Sequence, residues 1–102
     1  MMKSFDERCY ELLKQVPKGK VTTYKAIAEA LGTKAYRAVG NAMNRNPNAP
    51  VVPCHRVVNS NGVLGGFAFG QAEKISRLAA EGVKVEQGKI KNFAECLYEF
   101  HP

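Results

Sequence analysis

The sequence has no tryptophan and no apolar run approaching the ~20 residues that span a bilayer. Its start, Met1-Met2-Lys3-Ser4-Phe5-Asp6, lacks the apolar region of a secretory signal and leads straight into an amphipathic pattern. Secretion and membrane insertion are excluded as expectations, and a cytoplasmic or nucleoid-associated chain is expected. Cysteine is scarce: Cys9, Cys54 and Cys96 are an odd number at wide spacing, no C-x-x-C pair occurs, and His55 and His101 lie far apart. These spacings indicate neither a disulfide framework nor a tetrahedral zinc site and best fit reduced, intracellular thiols. Internal repeats, low-complexity tracts and interdomain linkers are also missing. Acidic residues are few, nine against fifteen Lys and Arg, which gives a net charge of +6. A basic surface on a small domain attracts polyanions, nucleic acid first among them, although charge alone does not decide the partner.

What remains is one domain. A chain of 102 residues, 45% apolar and 24% charged, can bury a single core, and residues 1–102 are read as one unit with no N-terminal domain. The first helix is expected from Ser4 to about Val16. Ser4 and Glu7 have capping-box spacing, and Phe5, Cys9, Leu12, Leu13 and Val16 share a face. Cys9 therefore reads as core packing. After Pro17-Lys18-Gly19, Thr22 or Thr23 caps a short helix carrying Tyr24, Ile27, Ala28 and Leu31, with Gly32 just past its end. Lys34 to about Arg45 forms another, with Ala35, Ala38, Val39, Ala42 and Met43 as its apolar side. Two short helices joined by a glycine-containing turn match a helix-turn-helix, whose second helix would carry Lys34, Tyr36, Arg37, Asn41 and Arg45. Small helical hairpins that bind no DNA have the same pattern.

Downstream, Pro47, Pro50 and Pro53 bracket an extended Val51-Val52. Val57-Val58 and Val63-Leu64 read as a hairpin around Asn61-Gly62. Gly65 to Gly70 forms a supple loop, and a helix from Gln71 to Gly82 is expected to turn Ala72, Ile75, Leu78 and Ala79 inward. The tail holds Val85 and Ile90, then a short helix with Phe93, Leu97 and Phe100. Its Lys84, Lys89 and Lys91 read as a solvated face. The expected fold is mainly α with a small β-hairpin, a helix-turn-helix of winged-helix-like form.

Pro53-Cys54-His55-Arg56 is the stretch with the most pointed chemistry. A free thiol is mostly protonated at neutral pH, so a nucleophilic cysteine needs a base or a positive field, which His55 and Arg56 could supply. Neighbouring side chains usually point apart, so on spacing alone the commoner outcome is a buried cysteine beside a histidine bonded to backbone.

Pro53-Cys54-His55-Arg56-Val57-Val58 resembles the active-site motif of the O6-alkylguanine-DNA alkyltransferases (methylated-DNA–protein-cysteine methyltransferases), in their C-terminal catalytic domain. Val16-Pro17-Lys18-Gly19-Lys20-Val21-Thr22-Thr23-Tyr24 is similar to the family's entry into its helix-turn-helix, and Arg37-Ala38-Val39-Gly40 with Asn46-Pro47 to its recognition helix and following hinge. Phe67 to Gly70 and Glu81-Gly82 stand where the family has its substrate-side loop and closing glutamate. The match is strongest over residues 5–82.

The resemblance implies direct repair of double-stranded DNA containing O6-alkylguanine, by one irreversible alkyl transfer to Cys54 after the base is flipped out of the stack. It makes Arg37 the residue that fills the vacated space, with phosphate contact as its plainer alternative. Tyr24 would reach guanine N3 and crowd the phosphate. Carbonyls of Cys54 and Val57 would accept from the exocyclic amine, and the Ala68 N–H would donate to O6. Met43 and Phe67 would line a slot for the alkyl group, Met43 serving equally well as core. His55 would deprotonate Cys54 through a water, Glu81 would orient His55, and Asn46 would fix the water and tie the recognition helix to the site. Neither metal nor cofactor is implied, because the damaged DNA is the donor, and a monomer is expected. The chain departs from its family at several places: Phe69 stands where glycine is more usual, Phe67 where tyrosine is frequent, the turn between Tyr24 and Arg37 is one residue shorter than in some relatives, and residues 83–102 match no part of the site. A non-catalytic alkyltransferase-like sensor, a short relative that binds O6-alkylguanine and recruits other repair, is the alternative. Sensors typically carry tryptophan or another residue in place of the cysteine. A transcriptional regulator would have no use for the Cys54 constellation.

Overall fold

Ser4 caps the first helix as its spacing predicts. Its hydroxyl accepts the Glu7 N–H at 3.1 Å, and the Glu7 carboxylate accepts the Ser4 N–H at 3.3 Å. The computed structural model describes residues 3–49 and 51–100, so Pro50 and His101 lie outside it. Helix α1 runs Phe5–Leu13, shorter than expected. Ahead of Pro17 the Gln15 and Val16 N–H groups tighten onto the Leu12 and Leu13 carbonyls, both at 3.0 Å, as a 3-10 turn. Cys9, Leu13 and Val16 are fully buried.

Strand β1 (Thr22–Thr23) leads directly into α2 (Tyr24–Ala30), whose N-cap is Thr23; its hydroxyl accepts the Ala26 N–H at 2.9 Å. Gly32, at φ +76°, ends α2 by letting its own N–H reach the Glu29 carbonyl (2.9 Å) and the Thr33 N–H reach Ala28 (3.0 Å). Helix α3 (Tyr36–Asn44) then packs Val39, Ala42 and Met43 inward. α1 braces the back of this helix-turn-helix: the Tyr10 hydroxyl donates to Ala42 O at 2.7 Å, and Arg45 grips Asp6 with two bonds of 2.8 Å.

Three expectations are corrected downstream. Val51-Val52 is not extended, since the Val52 N–H turns back to Asn48 O at 2.9 Å. Val57–Val58 forms β2 but pairs parallel with β1, Thr22 opposite Val57 and Thr23 opposite Val58, rather than with Val63-Leu64. The Asn59–Gly62 turn does close, with the Asn59 N–H on Val63 O and the Gly62 N–H on Asn59 O, both 2.9 Å; the strands it should join pair elsewhere. The hairpin lies in the tail, β3 (Val85–Glu86) against β4 (Lys89–Ile90), turning on Gln87 and Gly88 at φ 51° and 78°. The third correction concerns α4 (Gln71–Ala80), which turns Lys74 and Leu78 inward and leaves Ala72 and Ala79 exposed and Ile75 39% exposed.

The tail holds the middle of the chain in place. The Leu64 N–H donates to Gly88 O (2.8 Å), the Ile90 N–H to Gly62 O (2.9 Å), and Val21 pairs with Leu97 ahead of β1. Short helix α5 (Phe93–Cys96) sets the Phe93 ring over Gly62. The fold is mainly helical, as expected, but the described residues form two small two-stranded sheets where a single hairpin was expected. No helix among the described residues is long and apolar enough to cross a membrane.

Candidate active site and nucleic-acid interface

Cys54, His55 and Arg56 form a single 3-10 turn between Pro53 and β2. At three residues per turn, successive side chains diverge by about 120°, and here they take three roles. Cys54 packs into the core cluster that holds Met43, Val39 and Val57, and is 4% exposed. His55, 2% exposed, points its Nε2 at Glu81 Oε2, 3.1 Å away. Arg56 donates from Nε to Glu81 Oε1 (2.9 Å), from Nη2 to Glu81 Oε2 (2.5 Å) and from Nη1 to Val16 O (2.7 Å).

Glu81 reaches both partners because it is the C-cap of α4, where Gly82 at φ +86° ends the helix and the Val83 N–H returns to Leu78 O at 2.9 Å. Burial pushes the Glu81 carboxyl up, but hydrogen bonds from Arg56 and His55 outweigh it and hold the group below its ordinary value. Burial pushes the His55 imidazole down by more than Glu81 raises it, so the ring is neutral at pH 7. With Glu81 accepting at Nε2, the proton of neutral His55 sits there and the lone pair sits on Nδ1. Nδ1 is buried with no partner among the described residues. A neutral imidazole, oriented by a carboxylate and with its basic nitrogen unused, is suited to taking a proton from a neighbouring acid.

Asn46 lies just past α3, where its Nδ2 donates to Val52 O (2.8 Å) and its Oδ1 accepts the Asn48 N–H (3.0 Å). Its amide thus ties the end of α3 to the segment that leads into Cys54. Tyr24 is half-buried, and burial, with the Cys54 thiol beyond, pushes its hydroxyl up so that it stays a donor. Phe67 is half-buried against the cluster that holds Cys54, whereas Ala68 is exposed on the loop. The two carbonyls singled out in the sequence each accept an internal bond: Cys54 O from the Val57 N–H, and Val57 O from Lys74 at 2.7 Å.

Arg37 is exposed on the first turn of α3, at a cleft of ≈ 630 Å³ whose walls include Tyr24, Lys25, Arg37, Gly40, Asn41 and Asn59 to Asn61. Cys54, His55, Met43 and Phe67 are not among its lining. Among the described residues no group of three His, Cys, Asp or Glu side chains could hold a metal ion.

Two residues escaped sequence reasoning. Lys74 is fully buried, with its ammonium on Val57 O (2.7 Å), Leu64 O (2.7 Å) and Gly66 O (3.0 Å), and burial lowers it to about 8. It stitches the strand after Cys54 to the start of the Gly65–Gly70 loop. Arg77 packs its guanidinium 5.3 Å from the Phe67 ring and 4.9 Å from the Phe69 ring, and pairs with Glu73 at 3.0 Å. Phe69 is thereby held edge-on to Phe67 at 5.4 Å while remaining 57% exposed.

Comparison with known proteins places this arrangement. The chain is 47% identical, over 86% of its length, to a methylated-DNA–protein-cysteine methyltransferase of Metallosphaera sedula, of which it covers 55%. It spans about half the length, or less, of the curated relatives it matches. The solved O6-methylguanine-DNA methyltransferase of Pyrococcus kodakaraensis KOD1 superposes with a TM-score of 0.73 at 48% identity, covering 80% of this chain and 48% of that one. S. pombe Atl1, solved in complex with damaged DNA containing O6-carboxymethylguanine, superposes with a TM-score of 0.82 at 33% identity, covering 96% of this chain and 99% of that one. The family model described as 6-O-methylguanine DNA methyltransferase, DNA binding domain, matches residues 4–83, which span the helix-turn-helix, the Cys54 turn and Glu81, and the chain belongs to that family.

Proposed function

We propose that this DNA-binding-domain relative is itself alkyl-accepting: it binds double-stranded DNA and takes the alkyl group of O6-alkylguanine onto Cys54, once per molecule. The observation that carries the reading is the His55–Glu81–Arg56 network beside Cys54, with His55 neutral and its Nδ1 unused.

The target base is stacked inside the duplex, so α3 enters the groove, the nucleotide is extruded and Arg37 fills the gap with its planar guanidinium. Tyr24, still protonated, donates to the extruded guanine, and Cys54 O and Val57 O accept from its exocyclic amine. Because Cys54 is 4% exposed, the Gly65–Gly70 loop shifts to admit the base, bringing the Ala68 N–H to O6 and the Phe67 ring and Met43 to the alkyl group. His55 Nδ1 takes the thiol proton through a water that Asn46 helps to hold. The thiolate attacks the alkyl carbon, the carbon–O6 bond breaks and its electron pair stays on guanine, which recovers a proton. A thioether remains, and no group at the site can cleave it, so the protein is consumed. The protein acts as a monomer.

The competing reading is lesion binding without transfer; Atl1, which this chain matches end to end, is solved in complex with damaged DNA. Mass spectrometry after incubation with a duplex containing O6-methylguanine separates the two. One added methylene on the Cys54 peptide, at most one per protein, supports transfer. Tight binding with unchanged mass supports the sensor.

A further inference from the structure

Helix α3 turns Val39, Ala42 and Met43 into the core and Tyr36, Arg37, Gly40, Asn41 and Asn44 onto the cleft. Tyr36 is the outlier on that face. It opens the helix and is 40% exposed, and an aromatic ring left in water forgoes the burial that normally places it. Four residues on along the same face, Gly40 brings the helix surface close to Tyr24, whose Cε1 lies 4.0 Å from where a side chain at Gly40 would begin. Both phenol rings thus line one cleft. Lys25 and Arg37 line it too, and among the described residues no Asp or Glu does. Two cations, two aromatic faces and no anion suit a polyanion that carries flat apolar rings.

We propose that Tyr36 is a nucleobase-stacking residue. Its ring packs on a base beside the one extruded, so that two adjacent side chains, Tyr36 and Arg37, hold the opened stack. The inference rests on the reading of the cleft as a duplex-binding face and adds a contact to it. Stacking on an aromatic ring tolerates any base, so the contact strengthens binding without imposing a sequence.

The test uses the full chain with Cys54→Ala, which stops turnover, and duplexes carrying O6-methylguanine with the fluorescent base 2-aminopurine beside it. Tyr36→Phe keeps the ring and should bind within twofold of its parent with the same change in fluorescence. Tyr36→Leu keeps apolar bulk but loses the aromatic face. It should bind roughly 5–30-fold more weakly, as expected for the loss of one stacked base, and should lose the fluorescence change at the adjacent position. With Cys54 restored, Tyr36→Leu should react normally with a free O6-alkylguanine base. Unchanged duplex binding in Tyr36→Leu overturns the proposal, and so does an equal loss of reactivity toward the free base. If the wild type fails to alkylate Cys54 while Tyr36→Leu still weakens duplex binding, the stacking contact stands and the transferase reading falls.

Discussion

Arg56 holds Glu81 in a two-bond fork, 2.9 Å and 2.5 Å, and so competes with His55 for the same carboxylate. Both side chains are largely buried, 12% and 10% exposed. The guanidinium charge also lowers the His55 pKa. Arg56→Met should therefore act in two ways. Stability should fall by roughly 2–4 kcal/mol, because a mostly buried carboxylate and the Val16 carbonyl lose their donor. His55 should become easier to protonate, which moves the acid limb of the transfer rate to higher pH. Denaturant unfolding and single-turnover rates across pH 5–8 read the two effects separately. A fall in stability with no movement of the acid limb would mean that Arg56 does not tune His55.

In the wild type the same acid limb should lie below the ordinary imidazole value of 6.5, since burial lowers His55. The sign follows from the chemistry: protonated His55 cannot accept the thiol proton, so rate is lost as pH falls through the lowered value. Glu81→Gln removes the carboxylate that orients the ring and should slow transfer by about 10²-fold, the scale of a misplaced general base. Binding to damaged duplex should persist, because Glu81 is not among the residues lining the α3 cleft. Equal losses of rate and binding would point to a structural role alone.

Lys74 titrates at about 8 in the fold against 10.5 for the free side chain. Between those values the unfolded chain holds a proton that the folded chain has released, so this group makes stability rise with pH across the window. At lower pH the buried ammonium costs the fold about 3 kcal/mol relative to its neutral form. Lys74→Met abolishes that titration. The gap in unfolding free energy should shift in favour of the wild type by about 2–3 kcal/mol between pH 7.5 and 10. Cys9, pushed up to about 11 by burial, makes stability fall over an overlapping range, but it is present in both proteins and drops out of the difference. Parallel pH curves would refute the assignment.

Gly62 sits at φ +84°, and a side chain there would begin 3.1 Å from the Phe93 ring, whereas Gly88, at φ +78°, has open space around it. Gly88→Ala should cost about 1–2 kcal/mol for the left-handed backbone alone. Gly62→Ala should cost more, since it also pushes α5 off the Asn59–Gly62 turn. Comparison of their thermal midpoints tests this; equal shifts would show that Phe93 yields freely.

The parts of this fold that were legible in the sequence are those decided within a turn or two. Ser4 with Glu7, the Thr23 cap and the glycines at 32 and 82 each satisfy nearby backbone groups, and local spacing reveals them. The pairing of Val57-Val58 is not legible locally because its partner, Thr22–Thr23, lies far back along the chain; an Asn-Gly turn fixes a bend but not what the flanking strands bond to. The burial of Lys74 is not legible either, because it is supported by three backbone carbonyls, which carry no sequence identity. Glu81, taken by itself, is an ordinary helix-end carboxylate. Only its likeness to the family motif marked it, and its bonds to His55 and Arg56 required the folded chain.

The two-rung ladder between β1 and β2 has a consequence for how this chain tolerates change in length. Tyr24 follows β1 immediately and Cys54 precedes β2 by one 3-10 turn, so a single register fixes the spacing between a cleft-lining phenol and a buried thiol. A slip of one residue would displace one against the other by about 3.3 Å and reverse which strand residues face inward. Insertions between Cys54 and Val57, or between Thr22 and Tyr24, should therefore be excluded. The exposed turn at Ser60-Asn61 lies outside that register and can lengthen without disturbing it.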